Sequence, residues 1–233
     1  MTPSLLTQNH PVLALSNPLA NADQGLAIWF HEHLTPLLVA VLRAICQLGS
    51  GEWIGIVLFA GLLFFAWKRL WPSLTTMVLA VPCGMLLNEL LKAIVQRPRP
   101  YTQGEFVDWS GYSFASGHTI GATLLYGQIL LFVLPMLKSR ASRSLAILSA
   151  LAVVLLVGFG RIALGAHYFT DVLAAIFFGV LWLTICFFAM KPLHRKLPIP
   201  EIIPNVVVAP EPAMALIPVP AVEITEPAPV LAR

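Results

Sequence analysis

The sequence alternates long apolar runs with short segments that hold nearly all of its charge. Of its 233 residues, 58% are hydrophobic and only 11% are charged, whereas a soluble globular domain has about 25% charged residues. A helix needs about 20 consecutive apolar residues to cross the hydrocarbon core of a bilayer. The pattern therefore predicts an all-α polytopic membrane protein and argues against a soluble domain.

Six apolar runs approach this length, and we predict that they form a six-transmembrane-helix bundle. The first run is short, and Arg43 interrupts it. Pro82 and Gly84 fall inside the third run and predict a bend, which neighbouring helices can accommodate. The predicted helices cover residues 34–50, 52–68, 72–94, 117–137, 142–162 and 171–190.

The two ends of the chain differ from the predicted membrane domain, residues 34–197. Within the N-terminal segment, residues 1–33, the last eight mix apolar and polar side chains, so we expect part of it to lie at the membrane interface. Its first 25 residues hold no lysine or arginine, and we expect no signal-peptide cleavage. Residues 198–233 contain nine prolines, which predicts an extended or disordered tail.

Basic residues cluster at three breaks between the predicted helices. With six spans all three clusters fall on one face, which the positive-inside rule makes cytoplasmic. Both termini would then be cytoplasmic, and residues 95–116 and 162–170 would lie on the opposite face. The clusters are Lys68 and Arg69, then Lys138, Arg140 and Arg143, and finally Lys191, Arg195 and Lys196.

The segment from Gly160 to Asp171 places an arginine, a histidine and an aspartate between two apolar runs. Charged residues in or beside a bilayer are costly, which makes them functional candidates. Arg161 offers a fork of donors suited to phosphate, and His167 can act as a nucleophile or proton carrier. Asp171, four residues on, can hold one ring nitrogen of His167 and leave the other basic. Ordinary interfacial loop residues would give the same pattern.

Two cations lie at the end of the third predicted helix, on the same predicted face. Lys92 and Arg99 would meet at one mouth, where Pro100 stops the helix. Arg97 lies beside them, as a third cation of the site or as a surface charge.

A turn of small residues, Ser116-Gly117-His118, lies directly before the fourth predicted helix. Such a turn at a helix N-terminus presents free backbone N–H groups and a positive dipole end, which suits an anion. Together with the cations it indicates an oxyanion site with an acid and a nucleophile. Because arginines and N–H groups can neutralise phosphoryl oxygens, we predict no metal and no other cofactor.

These three patterns, taken in order, resemble the motifs of the type-2 phosphatidic acid phosphatase family, which shares its site with vanadium haloperoxidases. They read K-x6-RP from Lys92, SGH from Ser116 and R-x5-H-x3-D from Arg161. The motifs lie within residues 92–171, and the family's membrane core would cover residues 34–190. The resemblance implies a membrane lipid phosphatase.

The resemblance also implies a role for each motif residue. His167 would attack phosphorus and form a phosphohistidine, Asp171 would orient His167, and His118 would protonate the leaving oxygen and then activate water. Ala115 stands where the family usually has proline, and Gly160 where it often has serine. The phosphoryl oxygens would be held by Lys92, Arg99, Ser116, Gly117 and Arg161.

The resemblance further implies a location and a substrate. We expect a bacterial-type inner (plasma) membrane, with the site on the periplasmic or extracytoplasmic face. Aromatic side chains between Pro100 and Ala115 suit the headgroup level of a bilayer, and a compact site with at least three cations suits a diphosphate. Since small members of the family convert undecaprenyl diphosphate to undecaprenyl phosphate for cell-wall biogenesis, we favour that reaction. Phosphatidic acid and phosphatidylglycerol phosphate are the alternative substrates.

Two other functions remain open on the sequence alone. A lipid phosphotransferase would use the same fold but pass the phosphoryl group to another lipid instead of water. A non-catalytic membrane transporter or scaffold explains the apolar runs but leaves the ordered motifs unexplained. The expected partners are a lipid phosphate substrate and the surrounding membrane lipids, with no nucleic acid, because the basic residues are few and scattered.

Overall fold

The protein is described here by a computed structural model that covers residues 20–100, 103–104, 107–108 and 110–196. The predicted tail, residues 198–233, lies outside these residues. Most of the described chain is helical, as the sequence predicts. The helices are α1 (Ala20–His33), α2 (Pro36–Gln47), α3 (Gly51–Trp67), α4 (Trp71–Val95), α5 (Gly117–Val133), α6 (Arg140–Ala163) and α7 (Phe169–Lys196).

Two short elements complete the described fold. A 3-10 turn, Leu134–Met136, continues α5. In the loop between α4 and α5, strands β1 (Gln103–Gly104) and β2 (Val107–Asp108) pair antiparallel, in a segment that the sequence analysis treated as a loop.

Within the described residues, five helical segments are long and apolar enough to cross a membrane, where the sequence predicted six. The difference lies in α2 and α3, which together form one such segment, Pro36–Trp67. A turn at Leu48–Ser50 interrupts it. The other four segments agree with the prediction to within a few residues.

Contacts place α2 and the start of α3 at one end of the bundle and the end of α3 at the other. Leu42 in α2 packs against the last residues of α6. Trp53, early in α3, donates its indole N–H to the hydroxyl of Tyr126 in the middle of α5, at 2.9 Å. Phe65, near the end of α3, lies edge-on to Phe132 in the last turn of α5, with ring centroids 5.0 Å apart. The chain therefore continues at the turn and does not reverse.

An odd number of crossings would put the two ends of the membrane core on opposite faces, and five candidate segments are described. The expectation that both termini are cytoplasmic depended on six spans, and five spans do not support it. The three basic clusters still share one face. They lie at or just after the ends of α3, α5 and α7, and two crossings separate each cluster from the next. With five crossings, the segment before α2 would lie on the face of the candidate chemistry.

Helix α5 lies at the centre of the bundle and contacts α3, α4, α6 and α7. Small residues allow these helices to approach closely, as is common in membranes. A Cβ on Gly84 of α4 would lie 2.6 Å from a methyl carbon of Leu124 in α5, and one on Gly158 of α6 would lie 2.7 Å from Val172 in α7. This close packing fixes the N-terminus of α5 against the ends of its neighbours.

Candidate active site

The three predicted motifs meet at one end of the bundle, around the N-terminus of α5. The backbone N–H of Ser116 donates to the carbonyl of Asp171 at 3.3 Å, which joins the starts of α5 and α7. Arg99, in the loop after α4, lies 3.3 Å from His167 through its Nη1 and the ring Nε2. Residues far apart in the chain thus surround one small volume.

His167 is oriented by a carbonyl, where the sequence predicted a carboxylate. Its Nδ1 lies 2.7 Å from the carbonyl oxygen of Ser113, whereas the Oδ2 of Asp171 is 3.8 Å away. A carbonyl oxygen only accepts, so Nδ1–H donates to Ser113 and the neutral ring has its lone pair on Nε2. The physical reason for the difference is that α7 begins at Phe169, so His167 and Asp171 do not share a helical turn.

The His167 ring is neutral at pH 7. Its side chain is 2% exposed, and burial lowers the pKa of His167 to about 4, with Asp171 opposing this shift and the charges of Arg161 and Arg99 adding to it. The ring thus combines a fixed tautomer with an unprotonated Nε2, which is the form that can act as a nucleophile.

Asp171 is fully buried and closes the first turn of α7. Its Oδ2 accepts the backbone N–H of Tyr168 at 2.9 Å, the reciprocal half of a capping box. Its Oδ1 accepts a hydrogen bond from Arg97 at 2.6 Å. Asp171 therefore acts on His167 by its charge and by the shape of the 164–168 loop.

Arg97 joins two buried carboxylates and is not a simple surface charge. Its Nη1 donates to Asp171 and, at 2.7 Å, to the hydroxyl of Thr170, while its Nη2 donates to Asp23 at 3.0 Å. The guanidinium also lies 3.9 Å from the ring centroid of Tyr168. Burial works against the charge, but the two carboxylates outweigh it and raise the pKa of Arg97.

Asp23, in α1, is a site residue that the sequence analysis missed. It is 2% exposed and accepts hydrogen bonds from the backbone N–H of Thr170, at 3.2 Å, and from its hydroxyl. The only signal in the sequence is that acidic residues are rare in this segment, where Glu32 is the only other one before the first span. Through Asp23 and Arg97, α1 is tied to the start of α7.

Arg99 organises the loops beside His167. Its Nε donates to the carbonyls of Ser110 and Gly111 at 3.0 and 3.1 Å, and its Nη1 donates to the carbonyl of Ala166 at 3.0 Å. Burial lowers the pKa of Arg99, with Asp171 opposing. Backbone carbonyls therefore hold the guanidinium beside the Nε2 of His167.

The two departures from the family motifs have different surroundings. A Cβ on Gly160 would lie 2.7 Å from the Sγ of Cys46 in α2, so serine would clash where α2 meets α6. The next residue, Arg161, is 4% exposed and interacts with the same thiol. Ala115 is fully buried in the largest apolar cluster, and the Phe114–Ala115 peptide bond is cis.

His118, the second residue of α5, is partly buried among cationic groups. Arg161, His167, Lys92 and Arg99 all interact electrostatically with its ring. The rings of His118 and His167 thus interact with the same group of cations. In the part of the chain that the structure describes, no three His, Cys, Asp or Glu side chains are grouped as metal ligands.

A cavity of about 340 Å³ opens beside Lys92 and Arg99. Glu89 contributes to its wall and pairs with Lys92, with Oε1 and Nζ 2.7 Å apart. The carboxylate is largely exposed, so this pair adds little stability, but it places one negative charge at a cationic site. The rest of the described lining is Ala93, Ser110, Gly111 and Tyr112.

Comparisons with known proteins agree with this geometry. A family model described as the PAP2 superfamily matches residues 69–195. The chain is 31% identical over 186 residues to phosphatidylglycerophosphatase B of Bacillus subtilis (strain 168), covering 78% of this chain and 88% of that protein. It is 30% identical over 142 residues to lipid phosphate phosphatase delta of Arabidopsis thaliana, covering 54% of this chain and 34% of that protein.

Two solved structures share the fold. The crystal structure of a transmembrane PAP2-type phosphatidylglycerolphosphate phosphatase from Bacillus subtilis aligns with a TM-score of 0.65 and 28% identity, over 78% of this chain and 88% of that one. That of Aquifex aeolicus LpxE gives a TM-score of 0.54 at 24% identity, over 71% and 94%, and shows a likeness of fold alone. The chain belongs to the PAP2 superfamily and is an integral-membrane lipid phosphatase.

Proposed function

We propose that the protein transfers a phosphoryl group from a membrane lipid to water through a phosphohistidine at His167, without a metal ion. The observation that carries this proposal is the state of His167, whose Nδ1–H is bound to Ser113 and whose Nε2 faces Arg99. A buried imidazole in this tautomer has one nitrogen available for attack. The cations around it supply the charge that a metal ion would otherwise provide.

In the first step, Nε2 of His167 attacks phosphorus and the bond from phosphorus to the lipid oxygen breaks. His118, protonated at this point, donates its proton to that oxygen. Asp171 and the Ser113 carbonyl stabilise the positive charge that develops on the His167 ring. In the second step, His118 removes a proton from water, the water oxygen attacks phosphorus, and the N–P bond breaks. Phosphate leaves and His167 is regenerated.

The phosphoryl oxygens would be neutralised by the side chains of Lys92, Arg99 and Arg161 and by the first-turn N–H groups of α5. Activity should therefore survive excess EDTA, and orthovanadate should inhibit in competition with the lipid, because it mimics the five-coordinate phosphorus. Complete loss of activity on chelation, restored by Mg²⁺, would contradict metal independence.

We place the active site on the extracytoplasmic face, which is periplasmic in a bacterial-type inner membrane. The support is the charge distribution, because all three basic clusters lie at the opposite end of the bundle from the site. In this arrangement the segment before α2 is extracytoplasmic and the C-terminal end of α7 is cytoplasmic.

For the head group, two observations favour phosphatidylglycerol phosphate or phosphatidic acid. A relative covered over 88% of its length is described as a phosphatidylglycerophosphatase. In addition, Glu89 lines the cavity, where its carboxylate would accept a hydrogen bond from the glycerol hydroxyl of phosphatidylglycerol phosphate, a group that undecaprenyl diphosphate lacks.

Undecaprenyl diphosphate, which the sequence analysis favoured, is now the second candidate, because Lys92, Arg99 and Arg161 surround one small volume and a diphosphate carries more charge than a monoester. The test is kcat/KM for the three lipids in the same detergent. A tenfold preference corresponds to about 1.4 kcal/mol of transition-state binding. Glu89→Gln should shift the ratio towards the diphosphate, and Glu52→Gln, in α3, serves as the control.

A lipid phosphotransferase on the same fold would show the same phosphohistidine but a different acceptor. Assays with purified protein should therefore measure free phosphate and phosphorylated lipid products together. Stoichiometric phosphate release supports the hydrolase, whereas transfer to a second lipid in the absence of free phosphate contradicts it.

A further inference from the structure

Asn88, in α4, is a buried polar side chain that the proposed mechanism does not use. It is 0% exposed, and neither its Oδ1 nor its Nδ2 has a hydrogen-bond partner among the described residues. Buried amide groups are normally hydrogen-bonded, so an exception of this kind points to a missing partner.

The Asn88 amide lies beside the N-terminus of α5. Asn88 precedes Lys92 by four residues, so both side chains lie on one face of α4. Measured from the position that a Cβ on Gly117 would occupy, the Nζ of Lys92 is 3.4 Å away and the Nδ2 of Asn88 is 3.7 Å away. Because residue 117 is glycine, no side chain fills this position near the two nitrogen atoms.

The groups around this position are donors. The first turn of α5, a 17-residue helix, has no side-chain cap, so its N–H groups and its positive dipole end face the same place. An ammonium group, an amide NH₂ and backbone N–H groups together suit an anionic oxygen. An acceptor that carries negative charge would satisfy the Nδ2–H₂ group of Asn88.

We propose that Asn88 is a further phosphate-binding residue, whose Nδ2 donates a hydrogen bond to a phosphoryl oxygen seated over Gly117. The proposal rests on the phosphatase function proposed above and extends it to a residue outside the three motifs. Asn88 adds a hydrogen-bond donor to the phosphate site without adding a charge.

Replacement by leucine, which is close to asparagine in shape, separates this role from a structural one. If Asn88 only packs the bundle, Asn88→Leu removes an unpaired buried amide and should leave stability unchanged or higher, with activity unaffected. Gln128→Leu is the matched control. Gln128 is 2% exposed with an unpartnered Oε1, and it lies eleven residues beyond Gly117, about 16 Å along α5.

The experiment uses full-length protein purified in detergent, with orthovanadate as the probe. We expect Asn88→Leu to unfold at the wild-type temperature without ligand. Its inhibition constant for vanadate should be at least tenfold higher, and its kcat/KM on phosphatidylglycerol phosphate at least tenfold lower. Gln128→Leu should match the wild type in all three measurements.

Vanadate inhibition and kcat/KM at wild-type values in Asn88→Leu would overturn the assignment. If the leucine variant does not fold, Asn88→Ala carries the same expectations, and loss of the fold in both variants also overturns it. These results differ from a failure of the proposed function, in which the wild-type protein itself neither releases phosphate from the lipid nor responds to vanadate.

Discussion

Replacing Asp23 by asparagine tests whether α1 is part of the active site or only lies beside it. Asp23 accepts from Arg97 at 3.0 Å, and Arg97 in turn donates to Asp171 at 2.6 Å. The amide keeps an oxygen for the N–H of Thr170 but loses the charge that holds Arg97. We expect Arg97 to shift, which leaves Asp171 and the 164–168 loop less well fixed.

The size of the effect follows from the exposure of the pair. An exposed ion pair contributes about 0–1 kcal/mol, and breaking a fully buried pair costs about 3–5 kcal/mol. The Asp23 side chain is 1% exposed and that of Arg97 is 22% exposed, and Arg97 keeps a second carboxylate. We therefore expect Asp23→Asn to cost about 2 kcal/mol of interaction free energy in total. If about 1.4 kcal/mol of it appears in the transition state, kcat/KM falls tenfold.

The assay is phosphate release from a lipid phosphate in detergent, with thermal unfolding measured on the same preparation. Glu32→Gln is the control, because Glu32 is an exposed carboxylate on the same helix. Asp23→Glu should recover part of the activity, since it restores the charge. Asp23→Asn with kcat/KM within twofold of the wild type would refute the reasoning and reduce α1 to an accessory helix.

Three further predictions concern packing, pH and topology. Gly160→Ser should destabilise the protein by about 1–3 kcal/mol, measured by thermal unfolding, and Cys46→Ala in the same chain should restore most of the loss because it removes the clashing sulfur. The pKa of His167 is lowered from about 6.5 to about 4, so kcat/KM should decrease on the acid side only near pH 4, and a decrease near pH 6.5 would contradict the assignment. The folding stability linked to this ring is fully present above about pH 6.5 and is lost as the pH falls towards 4. In a cysteine-free background, a cysteine introduced by Gly25→Cys, at an exposed position on α1, should react with an impermeant thiol reagent in intact cells, and one introduced by Lys138→Cys should not. Six spans with cytoplasmic termini predict instead that both cysteines are protected.

The fold could be predicted wherever hydropathy alone decides it. The bounds of α4 to α7 follow from long apolar runs between charged breaks. The number of crossings in the α2–α3 segment could not be predicted, because hydropathy does not distinguish a chain that reverses at Leu48–Ser50 from one that continues. Packing decides this point, since α2 lies against the end of α6 and Phe65, near the end of α3, lies against the last turn of α5.

The candidate site shows the same division between local and distant information. The motif residues could be found because they are rare charged and polar groups at the ends of apolar runs. The carbonyl of Ser113 could not, because it lies 54 residues from His167 in the chain and any residue type offers the same oxygen. Arg97 and Asp23 are 74 residues apart, so no spacing rule links them.

The most direct test of the mechanism is the detection of a phosphoryl group on His167 during turnover. Purified protein is mixed with phosphatidylglycerol phosphate that carries a radioactive terminal phosphate, and the reaction is quenched in base. We predict a label that is stable in base, is lost in acid, maps to the peptide containing His167 and is absent from His167→Ala, which should also be inactive. A label on another residue, or near wild-type activity in His167→Ala, would contradict the account.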